Sequence, residues 1–232
     1  MRRWDMGLFS QVREGYWAVA GSPAIKPQVP EGRQPDRGVA RRQAFLQAAR
    51  EVFLEHGYEA ASVNDVVRLA GGSLATLYAQ FGNKEGLFLA FMQDQHDRFA
   101  REMRPPGNLD GLPLEEALQV VGEHFLRRLL ERDSIAFFRV MVSEGRKLPP
   151  NFRHYFSTSG ANLIYDELKA LLKQAGLSDA AAAESVIYFI DLLRSRHHFQ
   201  AISDENYVIP DAELKAHVAR AVRFLLNGLK LA

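Results

Sequence analysis

The chain has 232 residues, enough for two helical units around a sizeable core. Its 29 Lys and Arg against 28 Asp and Glu leave a formal net charge of +1, which excludes a whole-molecule basic field but allows a local basic patch. It has no cysteine, so disulfides and thiolate metal sites are excluded.

Residues 1–38 read as an extension and flexible linker. Trp4, Phe9, Tyr16 and Trp17 stand near the start, and Pro23, Pro27, Pro30 and Pro35 punctuate a Gly-rich run. The apolar run Tyr16 to Ala20 is far too short to cross a bilayer, and the segment before it lacks the apolar core of a signal peptide. A DNA-binding arm, a partner-binding segment and a translation start placed upstream all stay open for this stretch. Arg33, Arg37, Arg41, Arg42 and Arg50 make the approach to the first helix basic. That suits a minor-groove or backbone arm, or equally a solvated linker.

The most informative stretch is 40–92. Phe45, Ala49, Val52 and Phe53 recur at helical spacing, and Gly57 can close that first helix in the left-handed conformation. Ser62 is placed to cap a second helix, with Asp65 three residues on near the capping-box pattern, and Val63, Val66, Val67 and Ala70 form its apolar face. The turn Ala70-Gly71-Gly72-Ser73 follows. Ser73 caps a third helix through Leu77 and Phe81, and Asn83 can cap a fourth starting at Lys84. Two short helices joined by a Gly-containing turn are the sequence trace of a helix-turn-helix, whose second helix enters the DNA major groove.

The helical pattern continues to the end. The fourth helix is expected over 84–103, stopped by Arg104-Pro105-Pro106-Gly107. A fifth starts at Pro113, with Leu118, Val121, Phe125 and Leu129 at helical spacing. Asp133 or Ser134 caps a sixth, a seventh spans 151–175, and Ser178 caps an eighth to about Ala201. Asp211 precedes the last, whose face carries Leu214, Val218, Ala221, Val222, Leu225 and Leu229. No segment alternates with period two for long enough to make a strand. The expectation is an all-α fold: an extension at 1–38, a helix-turn-helix unit at 39–86, and a C-terminal helical bundle at 87–232.

The stretch 41–92 resembles the N-terminal domain of the TetR/AcrR family of bacterial regulators. The resemblance rests on Phe53, Gly57, Tyr58, Ser62, Val63, Ala70, Gly71, Ser73, Thr76, Leu77, Tyr78, Phe81, Lys84 and Glu85, in family order and spacing. Gly72 departs from the apolar residue usual in the turn, Ala75 from Gly or Pro, and Gln80 from an aromatic or His. A shorter likeness, Phe138 to Glu144 followed by Leu148-Pro149, is similar to the AefR-like branch.

The resemblance implies that the third helix reads the major groove. Thr76, Tyr78 and Lys84 would then contact phosphate, as would Ser62 at a helix N-terminus. Leu74, Ala75 and Gln80 are candidates for base edges, beside the capping Ser73, with Leu74 open to a core role at its spacing from Leu77. Arg41 and Arg42 complete the expected DNA-binding set.

In the eighth helix Val186, Ile187, Phe189, Ile190, Leu192 and Leu193 follow almost without a break, so more than one face must be covered. A homodimer through the last two helices supplies that cover, with Ile187, Ile190, Leu193, Val218, Val222 and Leu225 as the candidate interface, or else a monomer buries the central helix fully within its own core. Two-fold symmetry implies a palindromic operator of double-stranded DNA. Phe125, Leu129, Phe137, Phe138, Met141, Tyr155 and Phe156 can line an apolar pocket or simply fill the core. His124, Arg139, Asn162, Tyr165 and Arg194 are its candidate polar groups. The small-molecule effector this suits is hydrophobic.

No Gly-rich phosphate loop, G-x-S-x-G elbow or H-E-x-x-H is present, and adjacent His197-His198 point in different directions on a helix. The sequence therefore offers no catalytic residue, cofactor or metal site. The expected function is a cytoplasmic, ligand-responsive regulator, most simply a repressor. The alternative is an all-helical protein-interaction adaptor that does not read DNA sequence.

Overall fold

The computed structural model describes residues 37–229 apart from 104, 106 and 147–161. Among them it is all helix: α1 (Arg37–Ala60), α2 (Val63–Ala70), α3 (Leu74–Phe81), α4 (Lys84–Glu102), α5 (Leu114–Leu129), α6 (Arg132–Glu144), α7 (Asn162–Gln174), α8 (Asp179–Ser203) and α9 (Asp211–Leu229). The expected extension at 1–38 lies outside the described residues but for its last two positions.

Local chemistry sets most boundaries. Gly57 breaks the regular dihedrals of α1 at φ 72°, a conformation that costs an L side chain steric strain. Ser73, Asn83 and Ser178 each accept a backbone N–H at the start of α3, α4 and α8. Ser62 occupies the cap position of α2, but its side chain makes no cap hydrogen bond. Asp65 turns instead to Arg68, at 3.0 Å, so the capping box expected there does not form. The sixth helix starts earlier than Asp133 or Ser134 suggests, with Glu131 as cap and Arg132 as first residue. Pro113 stands at the cap of α5, and Asp211 is the first residue of α9. Of the expected seventh helix, residues 151–161 lie outside the described residues.

Two hydrophobic cores organise these helices. The upper one gathers Phe45, Leu46, Val52 and Phe53 of α1, Val66 of α2, Leu77 and Phe81 of α3, and Leu87, Phe88, Phe91 and Met92 of α4. It also takes Phe137 and Val140 from α6, with Phe137 edge-on to Phe91 at 6.3 Å between ring centres. The lower one joins Leu118, Val121, Phe125 and Leu126 of α5 with apolar residues of α7, α8 and α9. A cut after residue 86 therefore does not separate the cores, because half of α4 and the inner face of α6 belong to the upper one.

Candidate nucleic-acid interface

The candidate reading surface is built from α2, the turn and α3. Leu77 and Phe81 are buried, which anchors α3 and turns its opposite face outward. On that face Leu74 is 37 % exposed and Tyr78 43 %, and Ala75 and Thr76 are exposed. Leu74, whose spacing allowed a core role, thus stands on the outer face. Ser73 and Thr76 share a hydroxyl hydrogen bond of 2.9 Å that fixes both side chains at the start of α3.

Other candidates are committed within the chain. Gln80 is half-buried, and its amide oxygen is buried without a hydrogen-bond partner. Bidentate pairing to adenine needs that oxygen, so Gln80 must turn outward to read a base. Lys84 donates to the Glu59 carbonyl at 3.1 Å, and its ammonium lies 4.9 Å from the Tyr58 ring centre. Arg41 donates to the Ala70 and Gly71 carbonyls, and Arg42 lies 4.5 Å from the Phe81 ring centre. Arg50 is no part of an arm: it hydrogen-bonds Gln95 at 3.0 Å and pairs with Asp133, tying α1 to α4 and α6. Arg33 lies outside the described residues.

The expected pocket residues divide among three settings. Phe125 and Leu129 fill the lower core, with Tyr165 at its edge donating to the Ala183 carbonyl at 3.3 Å. Phe137 and Met141 belong to the upper core. Phe138 faces α8, 4.6 Å from the His198 ring centre and 5.8 Å from the Arg194 guanidinium. Among the described residues these side chains thus divide between the two cores and the α8 face, because neighbours on a helix diverge by about 100° and α6 packs both ways. Tyr155, Phe156 and the side chain of Asn162 lie outside the described residues. His124 bonds the Glu102 carbonyl at 2.8 Å, and Arg139 donates to the Ala201 and Ile202 carbonyls at 3.0 and 2.9 Å.

The paired histidines do face different neighbours. His197 meets the Tyr207 hydroxyl at 2.5 Å and the edge of His217, whereas His198 lies between Phe138 and Arg194. Desolvation by burial pushes the His198 pKa down to about 4, and the Arg194 charge adds to the shift. No group of three or more His, Asp or Glu among the described residues is placed to hold a metal ion. No helix among them is long and apolar enough to cross a membrane.

Comparison with known proteins agrees with this geometry. The family model for bacterial regulatory proteins of the tetR family matches residues 45–91, and that for the AefR-like transcriptional repressor C-terminal domain matches 116–228. The chain belongs to the TetR family. It is accordingly a DNA-binding transcriptional regulator. The repressor ComR of Escherichia coli is 51 % identical over 59 residues, 25 % of this chain and 28 % of ComR. The repressor AcnR of Corynebacterium diphtheriae is 39 % identical over 114 residues, 49 % of this chain and 54 % of AcnR. These matches span only about a quarter to a half of the relatives' own length. Among solved structures, a TetR-family regulator from Mesorhizobium loti superposes with a TM-score of 0.70 at 20 % identity, over 83 % of this chain and 98 % of that one. The flavonoid-responsive regulator FrrA gives 0.63 at 25 % identity, over 81 % and 96 %.

Against this TetR-family frame, the candidate interface residues separate. Leu193, Val218, Val222 and Leu225 are buried inside the lower core of the chain itself, so they do not form an outer face. The apolar stripe of α9 is used up by its own subunit. Ile187 and Ile190 are half-buried. The large exposed apolar side chains of these two helices are Tyr188, Phe199 (70 % exposed) and Phe224 (69 %). The available signal for Phe224 was its position off the stripe, an aromatic between Arg223 and a core leucine.

Proposed function

We propose that this TetR-family protein is a homodimeric repressor that binds a palindromic operator in the cytoplasm and is released by a small hydrophobic molecule. The observation that carries the reading is the outer face of α3, where Leu74, Ala75, Thr76 and Tyr78 stand exposed on a helix anchored by Leu77 and Phe81. Thr76 and Tyr78 serve as phosphate contacts, and Leu74 and Ala75 meet base edges. The outer faces of α8 and α9, with Tyr188 and Phe224, pair with their symmetry mates and set the two reading helices on successive major grooves. The effector lodges at the seam of α6 and α8 beside Phe138 and Arg194, and its effect reaches the reading unit through α4 and α6. The names of ComR and AcnR as repressors, and of FrrA as flavonoid-responsive, support this reading. Allosteric coupling of about 1–3 kcal/mol, roughly 5- to 150-fold in affinity, is enough for release.

Selection of random duplex DNA by the purified protein tests it, with a Thr76→Ala, Tyr78→Ala double variant as control. Lys84 is left intact because it also bonds the Glu59 carbonyl and covers Tyr58. One palindromic site enriched by the parent and lost in the variant is the expected result. A folded dimer that enriches nothing at low salt would overturn the reading in favour of the adaptor.

A further inference from the structure

Charge alone casts Arg41 as a group that touches the DNA backbone. Its geometry gives it another task. One guanidinium nitrogen donates to two carbonyls at the end of α2, Ala70 at 3.3 Å and Gly71 beyond it. Carbonyls at a helix C-terminus lack intrahelical donors, and the helix dipole favours a cation there.

The next residue completes the arrangement. A Cβ added to Gly72 would lie 3.1 Å from Phe45 Cζ and 3.6 Å from Arg41 Nη1. The space that a side chain at 72 would fill is already taken by groups of α1. Phe45 is fully buried and meets Phe81 of α3 edge-on, at 6.2 Å between ring centres. Arg42, the next residue after Arg41, covers the same Phe81 ring. Arg41 and Arg42 are thus turned onto the two ends of α3.

We propose that Arg41 is a positioning residue: with Phe45 and the bare Gly72 it clamps the turn between α2 and α3 and so sets the pose of the recognition helix, without itself neutralising a phosphate. The clamp is a property of the free protein. Its consequence for DNA rests on the function proposed above.

The test has one arm for each. Amide exchange is measured on the full-length free protein, and affinity for the enriched duplex is measured across a salt series, for the parent, Arg41→Ala, Arg41→Gln and Gly72→Val. A clamp predicts amide exchange over Gly71–Leu77 faster by about tenfold in Arg41→Ala, with partial rescue in Arg41→Gln, which keeps a donor but not the charge. Gly72→Val, whose Cβ would press on Phe45 Cζ at 3.1 Å without altering charge, should change exchange over the same amides, and unchanged exchange there would remove Gly72 from the clamp. Affinity should fall at every salt concentration with the slope of log K against log salt unchanged. Unchanged exchange with a slope shallower by about 1.8 in both Arg41 variants, about 0.9 for each of the dimer's two copies, would make Arg41 a phosphate contact and overturn the proposal. If no duplex is enriched, the exchange arm still decides the clamp, while the DNA-binding reading fails separately.

Discussion

Arg50 shows how much one side chain can hold. Its side chain is 15 % exposed, it bonds Gln95 and pairs with Asp133, and it thereby joins three helices. Hydrogen bonds to charged groups contribute about 1.5–3 kcal/mol, and truncation leaves partners in a half-buried site. Arg50→Ala should therefore lower the unfolding free energy from urea titration by an amount in that range, with a smaller loss for Asp133→Asn. Histidine chemistry sets a pH dependence. His198 has its pKa depressed to about 4 by burial and by Arg194, and burial also lowers those of His96 and His197. The unfolded chain takes up these protons first. Stability is therefore complete above the unfolded value of about 6.5 and falls as pH drops from there towards 4. Urea unfolding at pH 7.5 and pH 5 should show this loss, and His198→Phe should reduce it. A His198→Phe variant with the full parental pH dependence would show that His198 is not among its sources.

At the level of the helix, α8 is divided. Ser195 sits at φ 30° and ψ −139°, a region that strains any residue but glycine. His217 of α9 reaches the Leu192 and Leu193 carbonyls, both at 3.1 Å, on the N-terminal side of this break. Ser195→Gly should raise the melting temperature, since relief of about 1–3 kcal/mol of backbone strain exceeds the entropic cost of glycine. A lowered melting temperature would show that the break is not strained. Where α5 crosses α9 the reverse holds. A Cβ at Gly122 would lie 2.7 Å from Val218 Cγ1, so Gly122→Ala should destabilise by about 1–3 kcal/mol in the same melts. The legibility of these elements followed their range. Caps at Ser73, Asn83 and Ser178 are contacts within one turn, and the stripes of α1 and α9 are periodic, so both could be read from the chain. The break at Ser195 is not written in any Gly or Pro. The partners of Arg41, Arg50 and Arg139 lie 29 to 83 residues away, where no local pattern reaches. The same distance hid the faces of Leu193 and Val218, because an apolar residue on a two-sided helix does not announce which side it serves.

Taken as a whole, the described helices form two cores, and α6, like α4, serves both ends. Phe137 and Val140 of α6 enter the upper core, while Arg139, between them in sequence, holds the carbonyls at the end of α8. The reading unit is therefore completed by residues some forty positions downstream of α4. Phe137→Ala should lower the melting temperature and also weaken DNA binding, although the residue lies far from α3 in sequence. Large-to-small truncation of a core Phe costs about 3–5 kcal/mol. Unimpaired binding by a folded Phe137→Ala protein would count against α6 as a member of the reading unit. The consequence reaches beyond stability. A head that borrows its last wall from the body is not a cassette. A chimaera joining residues 37–103 to a foreign body would set Phe91 against an unselected surface. What must be exchanged or inherited together is a discontinuous unit, the first four helices and the sixth, so specificity for DNA cannot be transplanted from this chain by a single cut.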